Sequence, residues 1–118
     1  MQSIVINGPF DVEIVDEDVP QAGPSEIDIA LDKGLDTLKF FPAEASGGFK
    51  TLKAIAAPYV GVRFIPTGGI NRDNLPDHLA HPSVHCCGGS WLVKANLISA
   101  GKFDKITQLA REAVSVVR

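Results

Sequence analysis

Lys39 and two glycine-rich loops are the parts of this 118-residue chain whose residue types and spacing could do chemistry. Lys39 lies in the apolar run Thr37-Leu38-Lys39-Phe40-Phe41-Pro42-Ala43-Glu44. An ammonium group is strongly hydrated, so burying one is costly unless it is paired or loses its proton. A strand of this composition is expected to be buried on both faces, as in a parallel sheet. Desolvation there would favour the neutral amine, which can attack a ketone and form a Schiff base. The plainer alternative is a lysine that snorkels to the end of its strand. The loops Thr67-Gly68-Gly69 and Gly88-Gly89-Ser90 suggest a second chemistry. Glycines let backbone N–H groups approach an anion closely, and a following helix N-terminus would add partial positive charge. Two such loops in successive units, each with a hydroxyl beside it, point to phosphate; the alternative is tight turns only. Neither loop matches a P-loop or a dinucleotide fingerprint, so no nucleotide cofactor is implied.

The elements that must position these residues can be read from the periodicity. Ser3-Ile4-Val5-Ile6 and Val12-Glu13-Ile14-Val15 suit short strands, joined through Asn7-Gly8 by a loop that Pro9 lengthens. The acidic stretch Asp16-Glu17-Asp18-Val19-Pro20 is expected to be exposed. From Gly23 the pattern becomes regular. Pro24-Ser25-Glu26 suits a helix start, Ile27, Ala30 and Leu31 a helical stripe, and Gly34 a C-terminal cap. A strand Leu38–Phe41, a loop 42–48 and a helix with Phe49, Leu52, Ile55 and Ala56 follow, ending near Pro58. A strand Val62–Pro66 precedes a helix capped by Asn71 and running to about Ala80, with Pro76 as an interior irregularity. Val84–Cys87 reads as another strand and Leu92–Ala100 as a short helix. A final helix is expected to be capped by Asp104, with Ile106, Leu109, Ala110, Ala113, Val114 and Val117 on one face.

Strand, loop and helix recurring about every 24 residues mean βα units on a parallel sheet. The strands echo one another: Leu38-Lys39-Phe40-Phe41-Pro42, Val62-Arg63-Phe64-Ile65-Pro66 and Val84-His85-Cys86-Cys87-Gly88. The echo places Lys39, Arg63 and His85 at similar places on adjacent strands, at heights offset by barrel shear. Arg63 near Lys39 would favour the neutral amine further.

Composition narrows the function classes. The chain is one small domain in length. A net charge of −3 gives no reason to expect nucleic acid or an anionic membrane as partner. No apolar run approaches the roughly 20 residues of a bilayer span, and no signal peptide is visible. The adjacent Cys86 and Cys87 have no zinc-type spacing, so no metal is expected; they read as buried thiols in a reducing, cytoplasmic setting.

Three segments carry a family resemblance. These are Lys39-Phe40-Phe41-Pro42-Ala43-Glu44-Ala45-Ser46-Gly47-Gly48, Arg63-Phe64-Ile65-Pro66-Thr67-Gly68-Gly69-Ile70 and Gly88-Gly89-Ser90-Trp91-Leu92-Val93. In this order and spacing they closely resemble 2-keto-3-deoxy-6-phosphogluconate (KDPG) aldolases and 4-hydroxy-2-oxoglutarate aldolases, class I lyases of carbohydrate metabolism; the KDPG enzymes belong to the Entner–Doudoroff pathway. The resemblance runs from about Gly23 to the C-terminus. It implies an α/β fold of the (β/α)8 TIM-barrel family, here a partial, half barrel with parallel strands. It implies no cofactor or metal, a phosphorylated keto-acid substrate and a homotrimer. Lys39 would be the Schiff-base lysine for pyruvate. Thr67, Gly68, Gly69, Gly89 and Ser90 would contact the phosphate end, with Phe41, Glu44 and Arg63 as supporting residues.

The resemblance divides the chain into a divergent segment, residues 1–22, and a barrel half, residues 23–118. The family chain is nearly twice as long, and its general acid/base glutamate and its carboxylate-binding arginine and threonine lie on early strands that residues 1–22 do not match. Glu44 is near Lys39 in sequence and could be named as a base, but five positions on, past Pro42, it reads as a residue that orients the loop. His85 reads as a satisfied strand residue, and His78 and His81 as solvated helix-end residues. The expected activity is cleavage of KDPG to pyruvate and glyceraldehyde 3-phosphate. The alternative is a truncated, non-catalytic half barrel that binds phosphate or serves as an assembly partner. Open edges of a half barrel would themselves favour homo-oligomerisation.

Overall fold

A computed structural model of the chain describes residues 2–8, 11–16 and 24–117. Strands β1 (Gln2–Gly8) and β2 (Asp11–Asp16), expected as short strands, pair antiparallel with Ile4 opposite Ile14 and a register shift between Ile6 and Gly8, while Asn7 and Gly8, read as a turn signal, belong to β1. Pro9 and the acidic residues 17–20 lie outside the described residues.

Helix α1 (Pro24–Asp32) begins with Pro in its first turn, where no amide hydrogen is needed. It ends at Gly34, whose φ of +79° lets the chain reverse. The amide of Gly34 donates to Leu31 O at 2.9 Å and that of Leu35 to Ala30 O at 2.9 Å, the paired bonds of a Schellman stop. Ile27 is buried and Ala30 half-buried, whereas Leu31, placed on the same stripe by spacing, is exposed.

Strand β3 (Thr37–Phe40) then pairs in parallel with β4 (Arg63–Pro66), Lys39 standing opposite Ile65. Between them α2 (Gly48–Ala56) sets Leu52 and Ala56 against the sheet and stops before Pro58. The expectation that β3 is buried on both faces is corrected. Leu38 and Phe40 are in the core, while Thr37 and Lys39 are half-buried on the opposite face. The helices cover one side of the sheet, so burial alternates with the two-residue period of the strand.

Two later expectations also change. Asn71 caps a turn rather than a helix: its Oδ1 accepts from the amides of Asp73 at 2.8 Å and Asn74 at 3.1 Å. Helix α3 spans only Leu75–Leu79, with Pro76 in its first turn. Proline is tolerated there and breaks a helix further in, so the helix starts around it. The strand expected at Val84–Cys87 is reduced to two parallel bridges, Phe64 to Val84 and Thr67 to Gly88. Three steps separate the first partners and four the second, so one extra residue interrupts the ladder.

A 3₁₀ turn (Ser90–Val93), α4 (Ala95–Ser99) and α5 (Phe103–Val116) complete the chain. The residue before α5 is Lys102; Asp104 lies in the first turn, where a carboxylate favours the helix dipole, and makes no side-chain cap. Ala113 is the α5 residue that enters the core, and Ile106, Leu109, Ala110 and Val114 are half-buried on its stripe. Val117, placed on that stripe by spacing, is exposed. Among the described residues the core joins Ile27, Leu38, Phe40, Ala43, Leu52, Val62, Phe64, Ile70, Leu75, Val84 and Ala113, drawn from α1, β3, α2, β4, α3, α5 and the segments between them.

Candidate active site

Lys39 and the first glycine loop meet through Phe41. The Lys39 Nζ lies 5.4 Å from the centre of the Phe41 ring, within cation–π range. The Cε2–Cδ2 edge of the ring lies against Gly68: a Cβ there would sit 3.0 Å from Phe41 Cε2 and 3.2 Å from Pro42 Cα. Gly68 also has a φ of +95°, which side chains rarely tolerate. The phenyl ring therefore spans from the amine to the backbone of Thr67-Gly68-Gly69, at the C-terminal ends of the strands.

Thr67 ties the two glycine loops together. Its amide donates to Phe40 O at 2.9 Å and its carbonyl accepts from Ala43 N at 2.8 Å, which fastens it to the β3 end. Across the sheet it bridges Gly88, whose amide donates to Pro66 O at 3.0 Å. A Cβ on Gly88 would stand 2.9 Å from Thr67 Oγ1, so the threonine hydroxyl rests on that glycine. A side chain on Gly89 would run into the Trp91 ring. The loops are thus close-packed as well as tightly turned. The expected helix N-terminus behind the first loop is absent, since α3 begins five residues beyond Ile70. Only the short 3₁₀ turn at Ser90 follows the second loop directly.

Glu44 is a joint between segments. Its amide donates to Gly68 O at 3.1 Å, and its Cβ lies 2.6 Å from where a Gly69 side chain would begin. Its carboxylate lies over Gly48 at the start of α2 and contacts His78, with His78 Nε2 3.0 Å from Glu44 Oε1. A carboxylate is expected there, because helix N-termini attract negative charge. The sequence reading of His78 as solvated is corrected: the side chain is wholly buried, whereas His81 is half-buried. The signal was present in the spacing, because His78 falls on one helical face with Leu75 and Leu79.

Arg63 stands level with Thr37, two residues before Lys39, which is the stagger of a sheared sheet. Its guanidinium is 3.1 Å from His85 Nδ1. Arginine can only donate, so Nδ1 is the acceptor and the ring proton sits on Nε2. His85 is therefore hydrogen-bonded as the sequence reading expects, although it lies outside any strand. Among the described residues no group of three or more His, Cys, Asp or Glu side chains could hold a metal, and no helix is long and apolar enough to cross a membrane.

Neither cysteine forms a disulfide, and both are half-buried. Burial, and secondarily the neighbouring Cys86, pushes the Cys87 thiol up from 9.0 to about 12. The unfolded chain then releases this proton at lower pH than the folded chain does. Stability is expected to fall as pH rises from about 9 towards 12, and to be insensitive to this group below 9. Urea unfolding across that window checks it: Cys87→Ala should flatten the decline, and an unchanged slope in the variant would contradict the assignment.

Comparison with known proteins places the chain in a family. A family model described as KDPG and KHG aldolase matches residues 19–109. The chain is 59% identical over 90 residues to the KHG/KDPG aldolase of Escherichia coli K12, covering 76% of this chain and 42% of that protein. It is 56% identical over 91 residues to the 2-dehydro-3-deoxy-phosphogluconate aldolase of Dickeya dadantii, covering 77% and 43%. Among solved structures, KDPG aldolase of Legionella pneumophila, with pyruvate captured as a covalent carbinolamine, matches with a TM-score of 0.74 and 40% identity over 83% of this chain and 47% of that one. The Zymomonas mobilis aldolase with 3-phosphoglycerate matches with a TM-score of 0.69 and 46% identity over 80% and 43%. The chain spans less than half the length of these relatives. A lysine on a parallel βα sheet, a phenylalanine bridge and two packed glycine loops thus form part of a (β/α) barrel, and the chain belongs to the KDPG and KHG aldolase family.

Proposed function

We propose that this chain carries the Schiff-base half of a class I aldolase that cleaves 2-keto-3-deoxy-6-phosphogluconate into pyruvate and glyceraldehyde 3-phosphate. The observation that carries the reading is the Phe41 ring, which joins the Lys39 amine to the Gly68 backbone and so fixes a keto end relative to a phosphate end. The Lys39 amine adds to the C2 ketone to give a carbinolamine, which loses water to become an imine. The protonated imine accepts the electron pair of the C3–C4 bond as a base removes the C4 hydroxyl proton. Glyceraldehyde 3-phosphate departs, and the enamine left on Lys39 is protonated at C3 and hydrolysed to pyruvate. Thr67, Gly68, Gly69, Gly89 and Ser90 take the phosphate end through backbone amides and hydroxyls.

Glu44 is assigned to holding its loop, because its carboxylate is already taken up by His78. The C4 base is therefore assigned to no residue of the matched segment. Arg63, paired with His85 at the other end of the strands, supports the sheet rather than the substrate. Assembly with further copies, and residence in a reducing cytoplasm, belong to the same proposal. Incubation with pyruvate and borohydride, followed by peptide mapping, tests it: a stable adduct is expected at Lys39. An intact fold with no adduct would overturn the Schiff-base reading. An adduct without KDPG cleavage would leave the chain a pyruvate- and phosphate-binding half whose proton transfer is supplied elsewhere.

A further inference from the structure

We propose that His78 is a positioning residue of this site, acting through Glu44 on the first glycine loop; the idea rests on reading Thr67–Gly69 as the phosphate loop. A carboxylate only accepts hydrogen bonds, so the Nε2 of His78 carries the proton that reaches Glu44 Oε1 at 3.0 Å. The other ring nitrogen, Nδ1, is buried with no hydrogen-bond partner among the described residues. Phe49 packs edge-on against the ring at 5.5 Å and fixes its plane. An apolar ring would fill this place without leaving a buried nitrogen unmatched. What the imidazole adds is the single bond to Glu44.

That bond closes a circuit. The Thr67–Gly69 loop leads through the Asn71 turn to α3 and His78. His78 holds the Glu44 carboxylate, and Glu44 returns to the loop by donating its amide to Gly68 O at 3.1 Å and laying its stem on Gly69. The loop is gripped from its own downstream helix and from the segment that follows Lys39. The Glu44 side chain is 40% exposed, so without the imidazole its carboxylate would turn to water and the grip would loosen.

Hydrogen exchange and phosphate titration of the labelled chain test the proposal. In His78→Leu, the Ala43 and Glu44 amides, which bond to Thr67 O and Gly68 O, should exchange about tenfold faster. The Phe64 amide, bonded to Ser83 O, should not change. Inorganic phosphate, followed at the Gly68 and Gly69 amides, should bind about tenfold more weakly. His78→Gln keeps a donor near the Nε2 position and should restore both. Should His78→Leu fail to fold, Glu44→Met removes the acceptor from the exposed side and should show the same pattern. Unchanged exchange in the folded variants, or no rescue by glutamine, would overturn the positioning role. If the unaltered chain shows no phosphate response at these amides, the phosphate reading fails, and the exchange data still decide whether His78 grips the loop.

Discussion

Lys39→Arg is expected to abolish the borohydride-stable pyruvate adduct and to lower cleavage, in whatever assembly performs it, by about three orders of magnitude or more. The substitution is chosen for what it keeps. Arginine retains the positive charge, the apolar stem and the ability to stack on Phe41. It leaves β3 unchanged, because Leu38 and Phe40, not Lys39, are the residues packed into the core. It removes only the nucleophile, since a guanidinium stays protonated and offers no lone pair to a ketone. The thermal midpoint should therefore stay within a few degrees of the unaltered chain. Peptide mapping discriminates further. Lys50 and Lys53 lie exposed on α2 and would label only non-specifically. If Lys39→Arg still traps pyruvate, or the adduct maps to α2, the assignment of the nucleophile is wrong.

The parts of the site legible in the sequence are those set by local backbone chemistry. The helix stop at Gly34 and the two tight glycine loops each follow from what a residue type permits over a few positions. The grip on those loops was not legible, because it depends on contacts far apart in the chain. Glu44 and His78 are 34 residues apart, and nothing in either local pattern says that one will reach the other. His78 reads as solvated because histidine near a helix end usually is, and that expectation outweighs its place on one helical face with Leu75 and Leu79. Asn71 was misplaced for a related reason. Its side chain caps amides equally well in an Asx turn and at a helix start, and Pro76 decided between them. The lost strand at Val84–Cys87 has the right composition, but pairing is settled by register, and one extra residue before Gly88 breaks it.

Gly69→Ala should destabilise the chain by about 2–4 kcal/mol, while Gly34→Ala should cost only about 1–2 kcal/mol. The pair is a controlled comparison. Gly69 has a φ of +80° and Gly34 a φ of +79°, so both alanines bear the same left-handed strain. Around Gly34 a Cβ would meet nothing within 4 Å. At Gly69 it would stand 2.6 Å from Glu44 Cβ and 2.7 Å from Cγ, closer than carbon atoms approach without something moving. The neighbour cannot simply swing aside. Its backbone is bonded to Gly68 O, and its carboxylate is held by His78, so relief at Gly69 must come from one of those bonds. The alanine should therefore also weaken phosphate binding, while trapping of pyruvate on Lys39, which does not use the phosphate end, should persist. Urea denaturation gives the first quantity and phosphate titration the second. If the two alanine variants lose the same stability, Glu44 is not packed on the loop. If Gly69→Ala loses the extra stability but binds phosphate as before, the close packing is structural and the phosphate end lies elsewhere.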